Sequence, residues 1–237
     1  MSPVYNNSTK RLNKRLVELG LADSRRKADT LIEQGNVKVN GQVAHTGMQI
    51  VDSDMVTVLD KKGIDRPNIS IVFNKPKGYL CSHLSKSRTK TIFNILPKAF
   101  AQLKIAGRLD RDSQGLMILS SDGALVQQLT HPKNHKEKEY VVTLTNNFNS
   151  THIKPLLQGV KLNDGTSKFL RVVQMKPRQL RVVLGEGRNR QIRRTFEAIG
   201  YKVAILERTR IANINLGLLA PGKFEFLSLK DIEQVMK

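Results

Sequence analysis

Leu12, Leu16 and Leu19 recur at helical spacing, and Gly20 follows them as a stop. Ser24 stands where it can cap a second helix, with Ala28, Leu31 and Ile32 on its apolar face and Gly35 at its end. The period then shortens to two. Val37 and Val39 predict a strand, Asn40-Gly41 a tight hairpin turn and Val43 the return strand. A last strand over 56–59 closes this unit. The polar run DKKGIDRPN, residues 60–68, has the Gly and Pro content of a linker. The chain is therefore expected to divide into a small domain at 8–60, a linker at 61–68 and a larger domain at 69–237.

In the larger domain, apolar runs predict strands over 69–73, 116–119, 140–144, 180–184, 201–206 and 224–227. An Asp122-Gly123 turn can cap a helix over 124–130, and a helix over 190–199 stops at Gly200. Strands and helices do not alternate strictly. The expected class is α+β, with a largely antiparallel mixed sheet flanked by helices.

Charge adds a partner to this picture. The 237 residues carry 40 Lys and Arg against 20 Asp and Glu, a formal net charge of +20. Solubility does not need such an imbalance; it suits a polyanionic partner, because each cation near a phosphate releases condensed counterions, and a generally basic proteome or a membrane surface is the alternative reading of charge alone. Residues 1–60 hold eight basic and seven acidic residues, 61–140 fifteen and six, and 141–237 seventeen and seven. The small domain is polarised rather than basic overall: Arg11, Lys14, Arg15, Arg25, Arg26 and Lys27 cluster on its two helices. One cysteine, Cys81, excludes an internal disulfide and fits a reducing compartment. Residues 1–10 have no apolar core of a signal peptide, and no apolar run approaches the length of a membrane helix. A cytoplasmic protein with no membrane association is expected. The five histidines are scattered, with no zinc spacing.

One loop carries candidate chemistry. Gly107-Arg108-Leu109-Asp110-Arg111-Asp112-Ser113-Gln114-Gly115 is a short polar segment running into the apolar stretch 116–119. A carboxylate among arginines is favoured as the anion, the form a nucleophile requires. Read alone, Asp110 and Asp112 serve equally as turn residues, and Arg108 as a surface partner.

Two basic helices followed by Gly35-Asn36-Val37 and Val39-Asn40-Gly41 resemble the S4 RNA-binding domain, over about residues 10–57. The loop around Asp110 is similar to the catalytic motif of the pseudouridine synthases of the RsuA/RluB/RluE/RluF group. Further motifs follow in that group's order: Asn74-Lys75-Pro76 with Gly78, Lys138-Glu139-Tyr140, Asn189-Arg190-Gln191-Ile192-Arg193-Arg194 and Leu206-Glu207-Arg208-Thr209-Arg210. Many members have Thr-Ser where this chain has Ser113-Gln114, and in this it looks like the RluF-type members.

The resemblance implies isomerisation of a uridine to pseudouridine in structured RNA, with no cofactor and no metal. For RluF-type members the RNA is 23S ribosomal RNA, or a ribosome assembly intermediate holding it, and a transfer RNA anticodon is also associated with them. It implies that Asp110 is the catalytic carboxylate and that Arg193 pairs with it. Tyr140 would stack on the flipped base, and Arg108 would insert where that base had been. Lys75, Lys138, Arg190, Arg194, Arg208 and Arg210, with the basic positions of the S4-like domain, would contact RNA. Whether Asp110 attacks C1′ or C6, or removes the 2′ proton, is not fixed by the residues. A monomer is expected. The alternative reading is a non-catalytic RNA-binding or ribosome-assembly factor with the same fold, and a base methyltransferase is disfavoured by the lack of a loop for a methyl donor.

Overall fold

The computed structural model describes residues 9–51, 53–59, 68–83 and 89–236. Residues 60–67, most of the expected linker, lie outside them. The chain forms two compact units, Met1–Pro67 and Asn68–Lys237.

In the first unit β1 (Lys10–Arg11) leads directly into α1 (Leu12–Glu18), and α2 (Arg25–Glu33) follows. The Ser24 hydroxyl accepts the Lys27 amide, a cap that stabilises a helix by about 1 kcal/mol. Next come β2 (Val37–Val39), β3 (Gln42–Val43), β4 (Gln49–Ile50) and β5 (Val56–Val58). Asn40 and Gly41 both have positive φ, 51° and 82°, as a two-residue hairpin turn of the mirror-image type requires. β2 lies between β3 and β5, all antiparallel, and β1 pairs with β4. Leu12, Leu16, Ala28, Ile32, Val37 and Val39 meet in one core. That core fixes both helices and leaves Arg11, Lys14, Arg25, Arg26 and Lys27 exposed.

The second unit begins with β6 (Ser70–Lys75), β7 (Lys104–Ala106) and β8 (Gln114–Ser120). Asp122 caps α3 (Gly123–Thr130) by accepting the Ala124 and Leu125 amides. β9 (Lys138–Leu144), α4 (Ile153–Gln158), β10 (Val160–Leu162) and β11 (Gly165–Ser167) follow. Then come β12 (Arg171–Lys176), β13 (Gln179–Leu184), α5 (Gln191–Ala198), β14 (Val203–Ile211), β15 (Ile214–Asn215), β16 (Phe224–Phe226) and α6 (Leu229–Met236).

The main sheet has the order β12-β13-β9-β14-β8-β6-β16, with β7 also on β8 and β15 on β14. All its pairings are antiparallel except the short one between β8 and β14. The fold is α+β, as the sequence implies. Alternation along the strands supplies two apolar faces. Phe73, Met117, Tyr140, Val142, Val182 and Leu206 share a core with Leu156 of α4 and with Ile192 and Phe196 of α5. Val72, Leu116 and Ile118 pack on the opposite face with Leu125 and Leu129 of α3 and Val235 of α6. No helix among the described residues is long and apolar enough to cross a membrane.

Candidate active site

The loop 107–113 enters the sheet where its only parallel pairing lies. Gly115 stands opposite Lys75 on one side and Arg208 on the other, and Arg208 stands opposite Tyr140. Lys75, Gly115, Arg208 and Tyr140 thus form one row across four adjacent strands, and residues paired in a row point to the same face. Gly115 has φ 104°, and a Cβ there would come within 2.3 Å of the Arg208 carbonyl oxygen. Only glycine lets β8 and β14 approach so closely.

Every carbonyl from Gly107 to Ser113 accepts a hydrogen bond. Arg208 Nη2 donates to Gly107 (3.1 Å) and Arg208 Nη1 to Arg108 (3.5 Å). The Cys81 thiol donates to Leu109 (3.1 Å), and the Ser113 amide to Asp110 (3.1 Å). The Gly78 amide donates to Arg111 (2.7 Å), Arg193 Nη2 to Asp112 (3.0 Å) and Lys75 Nζ to Ser113 (2.7 Å). Loop backbone usually faces water and moves. Here three cations from two strands and one helix, together with the Cys81 thiol and the amides of Gly78 and Ser113, hold seven consecutive peptide units, so the carboxylate the loop carries is preorganised.

Two expected RNA contacts are corrected by this arrangement. Lys75 is fully buried, because it ends a strand whose six residues are all buried. Its ammonium also donates to Pro76 (3.2 Å) and Arg111 (3.4 Å). Burial pushes its pKa down from 10.5, against the opposing pull of Cys81, Asp112 and Asp110. Arg208 is 1 % exposed, and its Nε donates to the Leu116 carbonyl (2.7 Å). Neither cation reaches solvent, and both act on the loop from within.

The expected pairing of Arg193 with Asp110 is also corrected. Arg193 Nε lies 3.3 Å from Asp112 Oδ2, and Arg193 Nη1 donates to the Val203 carbonyl (3.0 Å). Asp112 also takes two hydrogen bonds from Arg190, at 3.0 and 3.2 Å. Asp110, at 29 % side-chain exposure, has a longer ion pair with Arg190 Nη1 at 3.8 Å. Asp112 wins the closer contacts because Arg190 caps α5 and Arg193 lies one turn on, so both guanidiniums leave one helix end toward the same carboxylate. Arg190 is held in the left-handed region, φ 47°, a conformation that costs a non-glycine residue about 1 kcal/mol or more.

Asp112 was legible in the sequence only as a turn residue. The usable signal was a carboxylate two positions from Asp110 facing a pair of arginines three apart. Burial raises its carboxyl, but the Arg190 hydrogen bonds and the charges of Arg193 and Arg190 outweigh that and hold it below 3.8. A carboxyl depressed in the folded state stabilises above its unfolded value, and that contribution is lost as pH falls through the folded one. Asp112→Asn is therefore expected to melt below the wild type at neutral pH, with the gap closing as pH drops below 3.8. Thermal melts across pH check this, and a gap that persists in acid contradicts it.

Other cations expected at the RNA are engaged internally. Arg194 grips Asp164 with both terminal nitrogens, at 2.9 and 2.8 Å. Arg210 pairs with Glu137 at 2.9 Å and Glu139 at 3.8 Å. The Lys138 ammonium donates to the Lys136 carbonyl (2.9 Å), and burial followed by the charge of Arg208 lowers its pKa. Arg15 is half-buried, 3.6 Å from Glu18. Arg108 is exposed at the front of the loop, and Tyr140 is 8 % exposed against the core.

Comparison with known proteins bears on the same segments. Residues 69–198 match the model of the RNA pseudouridylate synthase family, and residues 10–56 match the S4 domain. The chain is 36 % identical over 235 residues to the dual-specificity RNA pseudouridine synthase RluF of Escherichia coli strain K12, covering 97 % of this chain and 79 % of that one. It is 32 % identical over 218 residues to an uncharacterized RNA pseudouridine synthase of Aquifex aeolicus, covering 90 % and 91 %. A crystal structure of a pseudouridylate synthase superposes with a TM-score of 0.71 at 31 % identity, covering 95 % of this chain and 99 % of that one.

Proposed function

The chain belongs to the RNA pseudouridylate synthase family, and on that premise we propose that it isomerises a uridine of 23S ribosomal RNA with Asp110 as the catalytic carboxylate. The observation that carries this reading is the loop 107–113, fixed at every carbonyl while the Asp110 side chain is left partly open to solvent. The similarity to the dual-specificity RNA pseudouridine synthase RluF over nearly the whole chain supports this reading, and the resemblance of the motifs to RluF-type members makes transfer RNA the second substrate to test.

In the reaction the C1′–N1 bond breaks, the uracil turns, and C5 bonds to C1′. The C5 proton leaves to solvent and N1 takes one up, so the product is an isomer. The base must first leave its stack, at a cost of a few kcal/mol that contacts from cations to phosphates offset. Arg108, exposed two residues before Asp110, fills the vacated space. Tyr140, two strands from Gly115 in the same row, forms the wall on which the base stacks. Arg190 bridges both carboxylates and leaves Asp110 for the reaction while Asp112 keeps Arg193. The S4 unit adds an oriented contact through Arg11, Lys14, Arg25, Arg26 and Lys27, and the protein works as a monomer in the cytoplasm.

Tritium release from RNA labelled at uridine C5 tests the reading. The wild type is expected to release label from 23S ribosomal RNA with multiple turnover. No release from either ribosomal or transfer RNA would favour the ribosome-assembly alternative.

A further inference from the structure

We propose that the β12–β13 hairpin is a second RNA-backbone contact, remote from the reacting base; the inference rests on the proposed action on ribosomal RNA. Between Asp164 and Glu186 the chain carries Lys168, Arg171, Lys176, Arg178 and Arg181 and no carboxylate. All five cations are exposed. Several other exposed or half-buried arginines of this unit have acidic partners: Arg188 and Arg194 hold Asp164, Arg190 holds Asp112, and Arg210 holds Glu137. On the hairpin only Arg181 has an ion pair among the described residues, a loose one with Glu139 at 3.8 Å.

The positions are ordered as well as charged. Val172, Leu180 and Val182 turn into the core, which leaves Arg171, Val173 and Arg181 on the outer face. Val173 stands opposite Arg181, so Arg171 and Arg181 are diagonal neighbours on that face. Lys176 and Arg178 flank Pro177 at the tip. The tip backbone is pinned, because the Phe148 amide donates to the Pro177 carbonyl (2.7 Å) and the Leu144 amide to that of Arg178 (2.8 Å). A fixed ridge of cations along the hairpin at the sheet edge, with only Arg181 ion-paired among the described residues, suits a polyanion with a regular backbone, and the family's substrate is such a polymer.

β12 is four strand spacings from β8, about 19 Å across the sheet from the strand into which the Asp110 loop runs. The ridge therefore grips RNA flanking the target rather than the target nucleotide. It adds affinity for long structured substrates and leaves the chemistry unchanged.

The triple variant Arg171→Gln, Lys176→Gln, Arg178→Gln tests this with two substrates: a large domain of 23S ribosomal RNA, and a stem-loop of a few base pairs around the target uridine. On the long RNA, KM is expected to rise about 10-fold or more, and the slope of log affinity against log salt to flatten by about 2–3. On the stem-loop, kcat and KM are expected to match the wild type, which also shows that the variant is folded. An unchanged KM and salt slope on the long RNA would overturn the proposal. So would an equal loss on both substrates, or weakened adsorption to anionic lipid vesicles with RNA binding intact. A wild type inactive on both substrates would instead refute the proposed reaction, which separates the two failures.

Discussion

Asp110→Asn is expected to lower tritium release roughly 10⁴-fold or more, the scale on which removal of a catalytic nucleophile acts in other enzymes. The fold and the RNA affinity are expected to survive. The substitution is close to isosteric, and the one ion pair it removes is 3.8 Å long and partly exposed, so its contribution to stability is within about 1 kcal/mol. None of the seven carbonyl contacts that hold the loop uses the Asp110 side chain. RNA affinity should hold or rise slightly, because one negative charge leaves a basic surface. A variant that turns over like the wild type would remove Asp110 from the mechanism. One that loses binding and activity in proportion would make it a structural residue.

Gly115→Ala is expected to give the largest loss of stability, about 3 kcal/mol or more. Two costs add. At φ 104° an L side chain is strained, and its Cβ would sit 2.3 Å from the Arg208 carbonyl oxygen and 2.7 Å from its amide nitrogen. The obstacle is backbone in the middle of a sheet, so neither strand can give way by a side-chain rotation. Relief requires β8 and β14 to part, which breaks their short parallel pairing and moves Arg208 away from Gly107 and Leu116. The loop should then loosen, and activity should fall further than the fraction unfolded accounts for. Denaturant titration and tritium release on the same sample measure both. A variant as stable as the wild type would show that the close approach of the two strands is not needed.

Local signals carried the sequence reading. Ser24 and Asp122 cap the helices they were expected to cap, and Asn40-Gly41 makes the expected turn, because each depends only on near neighbours. The strand pairings β1 with β4 and β10 with β11, and the helices α4 and α6, were not legible. These segments are short, and the pair β1–β4 joins pieces forty residues apart in the chain. The candidate site was legible in its residue types and not in their roles. Lys75 and Arg208 were placed on the surface because a cation usually belongs there. Their partners are backbone carbonyls of a distant loop, which no residue type announces. One clue was present for Lys75: residues 71–73 are continuously apolar and read as a strand buried on both faces, and Lys75 closes it. The competition of Asp110 and Asp112 for the same arginines depends on how α5 enters, which sequence spacing does not define.

Burial and exposure of cations therefore divide the work differently from charge alone. The net charge of +20 includes cations that build the loop, Lys75, Arg193 and Arg208, and others that face outward on the first unit and on the β12–β13 hairpin. The central claim is that the first group exists to hold one carboxylate over a uridine of ribosomal RNA. The most direct test is a map of pseudouridines in total RNA from cells lacking this protein, complemented with the wild type or with Asp110→Asn. A site in 23S ribosomal RNA is expected to lose its pseudouridine, to regain it with the wild type and to stay unmodified with the variant. An unchanged map in the deletion, or restoration by the variant, would contradict the account.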